Sequence, residues 1–571
     1  MRMSGSKRGA AVGKIGASPL GMSVLVTNGL VKPMSPAKLL RIRDLYRKFG
    51  LTVTFAVGAE AVRHPARPAV IDDFGTMTYQ QLDESSTRLA NGLRRICPAH
   101  GLLKIGLLAK NHRAAVQTCL AAGKLGADLV VLNTGLAEKQ MRAVVEEQRI
   151  DIVVVDDDLL HVLDQFPRSL PTVLHRPTGY EAPDTGVPRP RTLDSLIRRS
   201  PAAPLPAPAR GGRTILLTSG TTGIPKGVVR PDPTGLAPIA ELLHLLPLRA
   251  GTTMMLASPF FHVLGFSLLQ LAMMLGDTVV LHREFDAART VAAIGRHGCA
   301  TVVGSPIMLR RLTEVPAADR ERIDTGSLRI ALAGGSALPG KLVPRFTEAF
   351  GPVLYNIYGS AELSWATVAT PQDLAEDENT AGTPPRGTRV AILDAAGKPS
   401  APGQIGRIFV GNEMLFDGYT RRGEENEFRD GALYSGDLGY LDTHGRLFVS
   451  GREEDVVVTG GEKTYPIEVE NLLCARDDIA EAAVVGVPDD HDGQRLCAYV
   501  VPEPGSEISP EEVRTWVAAN LAQFSVPRDI VIVDNLPRNP AGKILYRELR
   551  ARPSASGTNR WRAYQRLASG G

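Results

Sequence analysis

Residues Thr214–Arg230 read TILLTSGTTGIPKGVVR. An apolar, strand-like run, Ile215–Leu217, empties into a loop of Thr, Ser and Gly that closes on Pro225, Lys226 and Gly227. Small residues let backbone N–H groups approach a polyphosphate closely, and hydroxyls can donate further hydrogen bonds. Lys226 adds a point charge. Thr218, Ser219, Gly220, Thr221, Thr222, Gly223 and Lys226 are therefore candidate nucleotide contacts. No GxxxxGK[ST] spacing fits, so this is not a Walker-type loop.

Around this loop, helical periods alternate with short apolar runs. From Thr52 to about Asp156 the runs are Lys104–Ala109, Ala127–Asn133 and Ile150–Val155. Strands alternating with helices predict a mostly parallel sheet, and hence an α/β fold. Prolines 188, 190, 201, 204, 206 and 208 crowd between Pro167 and Arg213, which reads as a surface excursion or linker. The α/β pattern resumes through Phe448, and no repeat of fixed period is present. After Arg550 the chain turns basic and Ser/Gly-rich, the composition of a disordered tail.

The N-terminal end is different. Residues 1–50 hold ten Lys and Arg against Asp44 alone, while the whole chain carries only +4. Within this arm Ser35 can cap a helix that begins with Pro36. Leu39, Ile42, Leu45, Tyr46 and Phe49 recur at helical spacing, with Arg41, Arg43, Arg47 and Lys48 around them. Such a helix either packs on the rest of its own chain or rests on an anionic membrane.

A chain of 571 residues with 43% hydrophobic and 22% charged residues is long enough for two or three domains. The net charge is too small to argue for nucleic acid. Cys97, Cys119, Cys299, Cys474 and Cys497 form no CxxC pair, so reduced thiols and a cytoplasmic location are expected, with membrane association as an option. No apolar run reaches the ~20 residues of a bilayer span.

The run Thr218–Gly227 resembles the signature loop of the adenylate-forming superfamily, which includes acyl-CoA synthetases, luciferases and peptide-synthetase adenylation domains. Further segments resemble the same family in the same order. Ser258–Phe266, SPFFHVLGF, is similar to its acyl-pocket segment. The resemblance places His262 beside the carboxylate and AMP, Phe261 in the pocket and Phe266 at an aromatic gate. Ala333–Ser336 resembles the adenine turn, with Gly334, Gly335 and Ser336 as contacts. Asn356–Glu362, NIYGSAE, resembles the motif in which Tyr358 stacks on adenine, Gly359 and Ser360 contact the nucleotide, and Glu362 holds Mg²⁺ with Thr221. Ala361 stands where the family commonly has Thr, which removes one hydroxyl near the α-phosphate.

Tyr434–Asp442, YSGDLGYLD, implies Asp437 on the ribose hydroxyls. Gly451–Asp455, GREED, implies Arg452 on ribose or phosphate and Glu454 at a hinge. The loop around Gly460, Gly461, Glu462 and Lys463 resembles the lining of a pantetheine tunnel. Leu536–Arg550, LPRNPAGKILYRELR, resembles the C-terminal lysine motif, with Lys543 neutralising the transition state of acyl-AMP formation.

The resemblance covers roughly residues 50–550. It implies a large domain of parallel-sheet α/β subdomains with a β-rich subdomain, then a small mobile α+β domain. The expected partition is a basic arm over 1–50, the adenylation domain over 51–451, the mobile domain over 452–550 and a tail over 551–571. The implied activity is ATP-dependent conversion of a carboxylic acid to acyl-AMP and then acyl-CoA, with Mg²⁺ and coenzyme A. A medium- or long-chain fatty acid is the expected substrate, and an aryl or branched acid the alternative. Of another class is a non-catalytic relative that binds nucleotide or acyl-AMP, favoured only by Ala361. The partners implied are the small carboxylate, ATP and coenzyme A, with membrane contact through the arm as an option. The oligomeric state is left open, a homodimer being compatible.

Overall fold

Four sheets organise the chain. The computed structural model describes residues 19–30, 34–97, 103–167, 169–175, 191–218, 225–421, 426–459, 462–489 and 491–551. One eight-stranded sheet runs, edge to edge, Thr367–Ala369, Leu354–Tyr358, Ile330–Gly334, Thr301–Gly304, Thr253–Leu256, Thr278–Leu281, Pro68–Asp72 and Gly75–Thr78. Its six interior strands are parallel and its two edges antiparallel. Strands such as Thr278–Leu281 and Thr301–Gly304 are buried throughout, as a sheet covered on both faces requires.

The second eight-stranded sheet contains the three apolar runs seen in the sequence, as strands Lys104–Leu108, Asp128–Val131 and Ile152–Asp156. Strand Thr214–Thr218 lies parallel to Asp128–Val131 and antiparallel to Lys226–Arg230, with Thr218 opposite Lys226. The two strand ends thus hold a phosphate-loop candidate between them. A third, antiparallel sheet of five strands includes Ala432–Leu441 paired with Leu447–Arg452. These three sheets make the large domain. The small domain is built on the fourth, in which Ile479–Asp489 and Gly493–Pro502 form a long antiparallel ladder joined by the parallel strand Asp529–Ile532.

The proline-rich segment is more than a linker. It contributes strand Thr172–His175 and helix Leu193–Arg199, and Leu205 is buried. Residues 176–190 and the tail beyond Ala551 lie outside the described residues, as do Ser219, Gly220, Thr221, Thr222, Gly223, Gly460 and Gly461.

The arm helix runs Pro36–Phe49, with Pro36 at its first turn as read from the sequence. Ser35 occupies the cap position but makes no side-chain cap bond. The helix packs on the next one, Val53–Arg63. Tyr46 meets Phe55 edge-on at 5.6 Å, Leu45 covers Gly58, and Lys48 donates to the Leu205 carbonyl at 2.5 Å. Leu39 and Leu40 remain exposed. Among the described residues no helix is long and apolar enough to cross a membrane.

Candidate active site

Of the predicted residues, His262, Gly335, Tyr358, Asp437, Arg452 and Lys543 come together where the large and small domains meet. Strand Ile330–Gly334 ends in Gly335, which has φ +87°. A Cβ there would stand 2.8 Å from His262 Cε1, so backbone conformation and close approach both demand glycine. His262 occupies the cap position of helix Val263–Leu275 without making a cap bond. Burial, followed by the positive charge of Lys543, pushes its pKa down to about 4. His262 is therefore a neutral ring at physiological pH and suits positioning.

Strand Leu354–Tyr358 delivers Tyr358, whose hydroxyl donates to Asp437 Oδ2 at 2.5 Å. Asp437 Oδ1 lies 2.9 Å from Arg452 Nε, and the two residues face each other across neighbouring strands. Burial raises the Asp437 pKa, with Arg452 opposing it. Burial works against the charge on Arg452, yet Asp437, Tyr358, Glu362 and Glu454 together outweigh it and the pKa is raised. Ser360 Oγ accepts from the Leu363 amide at 3.2 Å, which orients the hydroxyl and leaves its proton to donate. Ala361 is buried in an apolar cluster with Val228, Leu363 and Ala366, and its carbonyl accepts from Arg230 at 2.6 Å. Glu362 accepts from the Tyr419 hydroxyl at 3.2 Å, and the Lys226 ammonium lies 5.5 Å from the Tyr419 ring.

Lys543 arrives from the small domain. Its loop is shaped by Asn539 Oδ1, which accepts from the amides of Ala541 and Lys543 at 3.0 and 2.9 Å. Gly542 has φ +86°, and a Cβ on it would fall 2.4 Å from Ile307 and 2.9 Å from Ser305 Oγ. Pro540 presses equally closely on Gly135, and Ala541 is buried in the large-domain core. The lysine faces an open cleft, so solvent reaches it. The surrounding protein still lowers its pKa, first by desolvation and then through Arg452. Asp437, Asp455 and Glu454 pull the other way.

Charged contacts hold the domains in this arrangement. Glu481 of the small domain binds Arg310 of the large one at 2.6 Å and its own Arg538 at 2.6 Å. Arg345 binds Glu503 at 2.5 Å, and Lys341 donates to the carbonyls of Arg476 and Ile479. Glu462 and Lys463, assigned to coenzyme A, lie exposed on the hairpin strand Glu462–Thr464. Glu454 lies in the short turn Glu453–Asp455 just after Arg452.

A largely apolar, partly open pocket adjoins Gly335, Ile357 and Gly359. Helix Val263–Leu275 lines it with Val263, Leu264, Ser267, Leu268, Leu271 and Met274, while Pro238, Ile239, Trp365 and Met414 supply other walls. Phe261 and Phe266, expected at the pocket, do not line it. Both are buried in the hydrophobic core. Leu51, Thr52 and Val53 also line the pocket, a contribution no local pattern announced.

Sequence reasoning also missed the buried group His112, Asp156 and His175, the cluster of metal-capable side chains among the described residues. Its members satisfy one another, with His112 Nε2 at 2.8 Å and His175 Nδ1 at 3.2 Å from Asp156, and Arg283 approaches to 3.5 Å. A guanidinium so near makes this a hydrogen-bonded junction rather than a cation cage.

The family model described as AMP-binding enzyme matches residues 57–420, and that of the AMP-binding enzyme C-terminal domain matches 468–543. This chain belongs to the AMP-binding enzyme family. The AMP-binding enzyme is 29% identical over 512 residues to a fatty acid–[acyl-carrier-protein] ligase of Streptomyces coeruleorubidus, covering 88% of this chain and 96% of that one. It is 31% identical over 494 residues to an indoleacetate–CoA ligase of Aromatoleum aromaticum, covering 85% and 94%. Among solved structures, an amide bond synthetase of Marinactinospora thermotolerans superposes with a TM-score of 0.76 at 26% identity, covering 90% and 99%. The two-domain α/β fold of the AMP-binding enzyme is that of these adenylate-forming enzymes, and its class is AMP-forming acid–thiol ligase.

Proposed function

We propose that this enzyme activates a carboxylic acid with a long apolar tail and passes the acyl group to the thiol of coenzyme A. One observation carries the reading. Lys543 enters the cleft where Asp437, Arg452 and His262 converge, and an apolar pocket opens beside that cleft. Of the lining side chains, Arg230 is turned to the Ala361 carbonyl, Asp232 is solvent-exposed, and Thr52, Ser267, Gln270 and Ser364 add uncharged polar groups to walls that are otherwise apolar.

In the first half-reaction a carboxylate oxygen attacks the α-phosphorus of ATP, the bond to the pyrophosphate oxygen breaks, and acyl-AMP forms. Lys543 and Arg452 oppose the negative charge gathering at that phosphorus, the term that usually dominates such catalysis. Asp437 accepts from the ribose hydroxyls, and His262 positions the carboxylate. In the second half-reaction the thiolate sulfur attacks the acyl carbon and the bond to AMP breaks. The thiol proton goes to solvent. The small domain swings between the two, withdrawing Lys543 and bringing in the hairpin of Glu462 and Lys463. Glu362 offers a hard, anionic oxygen of the kind magnesium prefers. It would hold the ion together with substrate phosphate oxygens, and the ion would neutralise phosphate charge. Exposed Leu39 and Leu40 beside Arg41 and Arg43 support peripheral contact with anionic lipid, which vesicle co-sedimentation tests.

A second reading, an aryl acid, is favoured by Trp365 in the pocket wall and by the relative named as an indoleacetate–CoA ligase. Pyrophosphate release and thioester formation, measured with fatty, aryl and short acids, test both. No pyrophosphate release with any acid would overturn the function itself.

A further inference from the structure

We infer that the Leu51–Val53 corner of the N-terminal arm is the wall that sets the length of acyl chain the enzyme accepts. The inference rests on the function proposed above and adds to it a substrate class, a linear acyl chain of about a dozen carbons.

The pocket has a direction. Its head is marked by Gly335 and Gly359, which end the strands carrying the nucleotide residues. From there it follows helix Val263–Leu275, whose lining residues run from Val263 beside His262 to Met274. At 1.5 Å per residue that stripe extends about 16 Å. An extended alkyl chain advances roughly 1.3 Å per carbon, so the stripe accommodates about a dozen carbons.

The helix that the arm leads into packs along this one. Glu60, on helix Val53–Arg63, lies against Gly276 at the helix's C-terminal end, where a Cβ would be 3.0 Å from its carboxyl carbon. Helices Val53–Arg63 and Val263–Leu275 pack together. The corner itself is built firmly. Gly50, with φ +66°, ends the arm helix, and Thr52 caps the next by accepting from the Phe55 amide at 3.3 Å. Leu51 and Val53 flank that cap, and both line the pocket. The cap bond, the Tyr46–Phe55 contact and the Lys48–Leu205 bond keep the corner from yielding to a longer chain. All three residues precede the region matched by the AMP-binding enzyme family model, which begins at residue 57.

The test is a profile of kcat/KM against saturated acids from hexanoate to octadecanoate, scored by pyrophosphate release. Wild type should peak between decanoate and tetradecanoate. Val53→Trp should lower the tetradecanoate-to-octanoate ratio about 30-fold, the scale of an overpacked site. Leu51→Ala should move the peak to longer acids, and it stands as an independent test should the tryptophan variant fail to fold. Activity on fatty acids with identical profiles in wild type and Leu51→Ala overturns the ruler and leaves the function intact. A wild type that activates aryl acids and no fatty acid overturns the substrate class and the ruler together.

Discussion

Tyr358 donates its hydroxyl proton to Asp437 over 2.5 Å, while Arg452 holds the other oxygen of the same carboxylate at 2.9 Å. Asp437 is thus oriented from two sides before nucleotide arrives, and an arriving ribose must share it with Tyr358. Asp437→Ala should raise KM for ATP about 10- to 100-fold, the scale of lost charged hydrogen bonds. Tyr358→Phe should raise it less. If Asp437→Ala still distinguishes ATP from 2′-deoxy-ATP as wild type does, ribose is held elsewhere.

Acyl-AMP formation should have a narrowed pH profile. Asp437 must be ionised, and burial raises its pKa, so activity falls on acidification at a higher pH than an ordinary aspartate would dictate. Lys543 must be charged, and burial lowers its pKa, so activity falls on the alkaline side below the ordinary lysine value of 10.5. His262, with a pKa of about 4, stays neutral through the working range. Lys543→Arg should shift the alkaline limb upward. An unmoved limb would mean that another group sets it.

Lys543→Ala should cut acyl-AMP formation by about 10²–10³-fold, the typical cost of one charge-stabilising donor. Conversion of supplied acyl-AMP to thioester should survive. Rapid-quench assays of the two halves give the answer directly, and equal losses in both would place the lysine in a single fixed site.

The Arg310–Glu481 pair joins the domains in the arrangement that presents Lys543. Glu481→Ala should slow acyl-AMP formation while sparing the thioester step. It leaves Arg310 and Arg538 side by side without their shared carboxylate. Arg310→Met should slow the same half-reaction, and an unchanged rate in both variants would make the pair incidental.

Ala361→Thr bears on the hydroxyl this chain lacks. Ala361 is 4% exposed among Val228, Leu363 and Ala366, so the larger residue overpacks the cluster at a cost of about 1–3 kcal/mol. A lowered Tm with no gain in activity is expected. A clear gain would show that the hydroxyl reaches substrate.

The parts of the site that were legible in the sequence are those whose chemistry is local. A strand that empties into Thr, Ser and Gly, a Gly-Asp turn and a lysine after Gly542 each announce themselves in a few residues. Helix Val263–Leu275 did not. It is apolar nearly all round, so no polar face marks which side meets the pocket, and Phe266 was assigned to the wrong one. The Leu51–Val53 wall and the Arg310–Glu481 pair join residues far apart in sequence. Arg310 also lies 3.1 Å from Glu314, one turn along its own helix, which reads in sequence as an ordinary surface pair.

The contacts between the domains are chiefly guanidinium, ammonium, carboxylate and carbonyl, with Ala541 as a small apolar inclusion. When such an interface parts, water replaces each lost partner at little cost, and no large greasy surface is stranded. A greasy seam would have frozen the protein in the first of its two jobs. On the mechanism proposed above, this seam unzips and re-forms every turnover, and dissolved salt should tilt the balance toward the open partner, giving the two half-reactions opposite responses to ionic strength.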